Sequence, residues 1–122
     1  MMKVPVTLHY RLWIERDGDY VLGNGVAVLL KHIDELGSLK RAAEVLKIPY
    51  RGAWGRIRKA EDALGMPLIA STSDRHKGVT LSPEAHRLLE AFRTLDELCR
   101  TDLLRRVDEQ HLEGLTISGV SH

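Results

Sequence analysis

Seven of the chain's eighteen Lys and Arg residues fall between Ser38 and Lys59, in SLKRAAEVLKIPYRGAWGRIRK, against a single acid, Glu44. That segment carries a charge of +6 and the other hundred residues carry −5, so a formal net charge of +1 conceals a strong local imbalance. The chemistry open to such a cluster is the binding of a polyanion, because each Lys or Arg that neutralises a backbone phosphate releases condensed counterions. A merely solvated helix face has the same composition, and charge by itself does not separate the two. The arrangement of apolar residues around the cations has to decide.

Other reactive side chains are dispersed. His9, His32, His76, His86, His111 and His122 show no metal-ligand spacing with a carboxylate partner, and the chain has neither a glycine-rich phosphate loop nor a nucleophile elbow. It is therefore not expected to be an enzyme, to hold a metal or to need a cofactor. Cys99 is the only cysteine, which excludes an internal disulfide and a thiolate cluster and fits a reducing, cytoplasmic setting. The opening MMKVPVTLHYRLW interleaves polar and apolar residues, so it offers neither the apolar core of a signal peptide nor a membrane span. At 122 residues, with 43% hydrophobic and 29% charged, the chain is one structural domain of ordinary globular composition.

The elements that must position the cations follow from periodicity. Val6, Leu8, Tyr10, Leu12 and Ile14 alternate with polar residues, which predicts a half-buried strand; Asp17-Gly18 turns it back into Tyr20-Val21-Leu22 as a hairpin. Asn24 can cap a helix with Val26, Leu29, Leu30, Ile33 and Leu36 inward, ended by Gly37. Ser38 caps a short helix burying Leu39, Ala42, Ala43 and Leu46, and Lys47-Ile48-Pro49 forms a three-residue turn. A third helix, about 49–64, buries Ala53, Ile57, Ala60 and Leu64 and stops at Gly65. Pro67 to Ala70 and Val79 to Leu81 make a second hairpin around a polar, basic loop. Ser82-Pro83-Glu84 then starts a long helix, roughly 40 Å at 1.5 Å per residue. Its stripe of Leu88, Phe92, Leu95, Cys99, Leu103 and Val107 suits a homodimer seam, in which Cys99 could meet its symmetry mate.

Helix, short helix, turn, helix and hairpin is the winged helix-turn-helix order, in which the second helix of the motif enters the major groove of DNA. On the third helix Arg51, Gly55 and Arg58 form one outward ridge, flanked by Arg56 and Lys59. Tyr50, Arg51 and Trp54 stand at the end that meets base edges, and Arg51 is the best base reader, since paired hydrogen bonds from Arg to guanine are worth about 1–3 kcal/mol of discrimination. Ser38, Lys40 and Arg41 are placed for phosphates, and Arg75, His76 and Lys77 for backbone or minor groove. Competing structural readings stand beside three of these. Trp54 adjoins the buried stripe and suits the core, His76 suits plain surface, and Gly55 suits either close approach of a large surface or tight packing on a neighbouring helix.

Leu12-Trp13-Ile14-Glu15 with Asp17-Gly18, Leu29 to Ile33, Gly37-Ser38, and Ile48-Pro49-Tyr50-Arg51 with Ala53-Trp54 together resemble the N-terminal DNA-binding domain of ModE-type molybdenum-responsive transcriptional regulators, over about residues 6 to 110. Arg41-Ala42-Ala43 and Leu64-Gly65-Met66-Pro67-Leu68 are similar to the related LysR-type regulators. The resemblance implies a dimeric winged helix-turn-helix regulator that reads a palindromic operator, with Tyr50, Arg51 and Trp54 on the recognition-helix motif. Full-length members continue into oxyanion-binding domains, which this chain lacks, so molybdate binding is not expected of it. Pro49 stands where a serine or threonine commonly begins the recognition helix, and Ser71 to Lys77 is polar and shorter than the family's glycine-rich wing.

The expected organisation is α+β, mainly helical with small hairpins: an N-terminal β-hairpin (1–23), the winged helix-turn-helix (24–82), a dimerisation helix (83–112) and a flexible tail (113–122). The expected function is sequence-specific DNA binding as a homodimer. The alternatives are a winged-helix protein-interaction module, or a DNA-binding subunit that borrows its sensor from a partner protein.

Overall fold

A computed structural model describes residues 6–70, 78–110 and 114–119. The first two strands are β1 (Val6–Tyr10) and β2 (Trp13–Arg16), followed by β3 (Asp19–Gly23) and the helices α1 (Asn24–Leu36), α2 (Leu39–Leu46) and α3 (Tyr50–Leu64). A short β4 (Ile69–Ala70) and β5 (Thr80–Leu81) precede the long α4 (Pro83–Glu109) and a last strand, β6 (Leu115–Gly119). Three two-stranded sheets result: β2 with β3 and β4 with β5 antiparallel, and β1 with β6 parallel. The architecture is a winged helix with an added hairpin before α1.

The core forms where the apolar faces of α1, α2 and α3 converge. Leu29, Leu30, Ile33, Ala42, Ala53, Ile57 and Leu68 are wholly buried, joined by Val21 and Leu22 of β3 and by Ala85, Leu89 and Phe92 of α4. Burying a side chain such as Ile57 contributes about 1.5–3 kcal/mol. Local signals fix the boundaries. Ser38 Oγ accepts from Arg41 N at 3.1 Å and Ser82 Oγ from Ala85 N at 3.0 Å, each satisfying an amide that the helix start leaves unpaired. Gly37 and Gly65 end their helices in the left-handed conformation. At Gly78 only glycine fits: its φ is +77°, and an added Cβ would lie 2.1 Å from the carbonyl oxygen of Gly37, which accepts from Val79 N.

Three features depart from the sequence reading. The single alternating strand expected from Val6 to Ile14 breaks at Arg11 and Leu12, and its two halves take different partners. Residues 115–119, expected to belong to a flexible tail, form β6, because β1 offers them a complete parallel ladder from Val6↔Leu115 to Tyr10↔Gly119. Tyr10 then fixes this ribbon to α4, donating from its hydroxyl to Asp96 Oδ1 at 2.8 Å beneath the Arg100 guanidinium. Asn24 does not cap α1; β3 runs straight into the helix with Gly23 at the cap position and no side-chain cap.

Candidate nucleic-acid interface

The turn between α2 and α3 sets the angle of the basic helix. Lys47 takes a left-handed φ of 57°, its amide and that of Ile48 reach back to Glu44 and Ala43 carbonyls, and Pro49 stands extended just before α3. Ala53, Ile57 and Ala60 bury one side of α3. Its other side is open: Arg51, Gly55, Arg58 and Lys59 are all exposed, and no acid occurs in the helix before Glu61.

Of the two readings left open for Gly55, tight packing on a neighbouring helix is not what the structure has. A Cβ built there meets nothing within 4 Å, so the glycine is not a packing requirement of this chain's own fold. A helix-interior glycine costs about 0.5–1 kcal/mol against alanine, and here no intramolecular contact offsets it.

Trp54 stands between its two readings. It is half-buried and packs on the core, yet its ring carries the Arg58 guanidinium at 5.4 Å and receives Tyr50 edge-on at 6.4 Å. The indole is therefore a platform under Arg58 at the edge of the ridge, a contact worth about 0.5–1 kcal/mol at an exposed site. Tyr50 is 51% exposed, more than an anchored aromatic would be. Ser38 sits at the α2 cap with Lys40 and Arg41 exposed in its first turn. Arg75, His76 and Lys77 lie outside the described residues.

The far flank of α3 is tied to the hairpin before α1. Arg16 of β2 donates to the Leu64 carbonyl at the helix C-terminus, and Glu61 accepts from Leu68 N at 2.8 Å and Ile69 N at 3.3 Å, bracing the approach to β4. Sequence periodicity carried no sign of Arg16, since its partner lies 48 residues away.

Residues 27–86 match the family described as bacterial regulatory helix-turn-helix protein, lysR family. Over that stretch the chain is similar to a LysR-type helix-turn-helix domain. Solved structures agree on the fold. The chain is similar to the CbnR DBD in its complex with DNA (22% identity, TM-score 0.57, 70% of this chain and 95% of that one). It is similar also to the BenM DBD in complex with benA site 1 DNA (22%, 0.53, 70% and 94%). CbnR, a LysR family transcriptional regulator, matches at 19% with a TM-score of 0.52, and there this chain spans 42% of the partner's length. No curated protein sequence is similar enough to match. The matches are to DNA-binding regulatory domains and not to enzymes. Among the described residues, no helix is long and apolar enough to cross a membrane and no cluster of three His, Cys, Asp or Glu could hold a metal.

The matched segment ends inside α4, where the seam expected from sequence divides. Phe92, 4% exposed, belongs to the domain's own core with Ala85 and Leu89, and Leu88 packs partly against it. Leu95 is 50% exposed, while Cys99, Leu103 and Val107 are half-buried. Leu98 and Leu104, which the stripe omitted, are 60% and 50% exposed. Following one line of spacing joined two faces: at 100° per residue, Leu88, Ala91, Leu95 and Leu98 share a second face beside the core one.

Proposed function

We propose that this chain is a sequence-specific DNA-binding transcriptional regulator, with α3 as its recognition helix in the major groove. The observation that carries the reading is the exposed, acid-free ridge of Arg51, Gly55 and Arg58, whose glycine serves no contact within the fold. A groove about 12 Å wide admits one helix, and a missing side chain at Gly55 lets the helix axis approach the base edges. Arg51 reads bases. Tyr50 and Trp54 shape the leading end, Trp54 orienting Arg58. Ser38, Lys40 and Arg41 hold phosphate at the start of α2, where unpaired amides add partial positive charge. Lys59 and the loop residues Arg75, His76 and Lys77 complete the grip.

The protein acts in the cytoplasm as a homodimer joined through α4, whose exposed Leu95 and Leu98 need a partner surface. A two-fold dimer sets two α3 helices on half-sites of a palindrome, about 34 Å apart. Within the LysR-like group we place it with the ModE type. Support comes from Trp13, Glu15 and the Asp17-Gly18 turn of the hairpin ahead of α1, a region outside the LysR match, and from the Tyr50-Arg51 and Ala53-Trp54 run.

Arg51→Ala and Lys40→Ala test the division of roles. Arg51→Ala is expected to lower operator binding and relax base preference at one position of each half-site, by about 1–3 kcal/mol. Lys40→Ala is expected to weaken operator and random DNA equally. Equal losses on both DNAs for both variants would refute the assignment.

A further inference from the structure

A cavity of about 260 Å³ opens between α1 and α3, away from the Arg51 ridge. Tyr20, Gly25 and Val26 form one wall; Arg56, Lys59 and Ala60 form the other, and none of these is an acid. Arg56 and Lys59 are exposed and form no ion pair among the described residues, so their charges are directed to solvent rather than spent on the fold. No acid lies in the first turn of α1 to oppose them. Burial holds the Tyr20 hydroxyl above its ordinary pKa of 10.0, opposed first by a backbone hydrogen bond at Gly23 and then by Arg11 and Arg56; Tyr20 and Arg56 line the same cavity.

Position on the helix gives the cavity its meaning. Trp54 and Glu61, seven residues apart, share the flank of α3 that Glu61 ties to Leu68 and Ile69 at the base of the β4–β5 hairpin. At 100° per residue, Arg56 and Lys59 fall on the opposite flank. A helix lying in a major groove has a sugar-phosphate strand along each side. In the docking proposed for α3, one strand passes the base of the β4–β5 hairpin and the other passes this cavity.

We propose that the cavity seats a backbone phosphate of the strand opposite the wing, with Arg56 and Lys59 as its cations. The inference rests on the DNA-binding reading, which already counts Lys59 in the grip, and adds to it Arg56 and the phosphate seat that the two share, a second, sequence-independent anchor across the groove. Gripped on both flanks, α3 cannot roll about its axis, and the register of Arg51 against the bases is fixed by phosphates on two strands.

Binding of the whole chain to duplex DNA, followed by fluorescence anisotropy across 50 to 200 mM salt, tests this for wild type, the Arg56→Ala/Lys59→Ala double variant and Arg56→Lys. The double variant should show a salt slope shallower by about 1.8, two contacts at about 0.9 each, with base preference unchanged, and Arg56→Lys should keep the wild-type slope. A scan of single methylphosphonate substitutions along each strand supplies an independent readout. One neutralised phosphate should weaken wild type and have no further effect on the double variant. A double variant that keeps the full slope, or that still loses affinity at every position where wild type does, overturns the cavity's role while leaving DNA binding intact. A wild type with a flat salt response overturns the DNA-binding reading itself.

Discussion

At the residue scale, Gly55 separates what the fold needs from what the function needs. With open space around its Cβ position, Gly55→Ala is expected to stabilise the folded protein by about 0.5–1 kcal/mol, through the helix propensity of alanine. Gly55→Leu should fold equally well and lose operator affinity by tenfold or more, because the leucine would stand between the helix and the groove floor. Thermal melts and anisotropy on the same samples check both statements. Operator binding by Gly55→Leu at wild-type strength would show that nothing approaches this face. Trp54 makes the complementary case. It touches core and cation at once, so its removal confounds folding with binding, whereas Gly55 keeps them apart.

Elements with local causes were legible in the sequence. Ser38 and Ser82 cap as their spacing with the following helix predicted, and the buried stripe of Ala53, Ile57 and Ala60 leaves Arg51, Gly55 and Arg58 outward as 3.6 residues per turn require. Elements with distant causes were not. β6 exists because β1 lies alongside, more than a hundred residues earlier in the chain, and the short alternation from Leu115 to Ser118 does not by itself name a parallel partner. The break at Arg11 and Leu12 likewise depends on β1 and β2 serving different sheets, which an unbroken alternation of side chains conceals. On α4, single-line spacing merged the core face with the free one. The free face carries its own prediction: Leu95→Asp with Leu98→Asp should convert a dimer to a monomer by sedimentation, with the helical signal retained, since both side chains are largely exposed. A double variant that remains dimeric would place the seam elsewhere.

The molecule as a whole sets a basic helix pair on a buried core and adds a helix of roughly 40 Å that packs on α1 and β5. Charge is distributed accordingly. Residues 38–59 hold +6 while the remainder holds −5, which repels the rest of the surface from a polyanion and orients the approach. The β2–β3 hairpin anchors the C-terminus of α3 through Arg16, so that the basic helix is tied at its end as well as at the turn before it. The most direct measurement is the affinity for duplex DNA from upstream of the chain's own gene, against a random duplex of equal length, from 50 to 200 mM salt. A dimer engaging several phosphates should prefer the upstream duplex and lose on the order of a thousandfold in affinity across that range. An affinity that stays flat with salt, or is equal on the two duplexes throughout, would contradict the account.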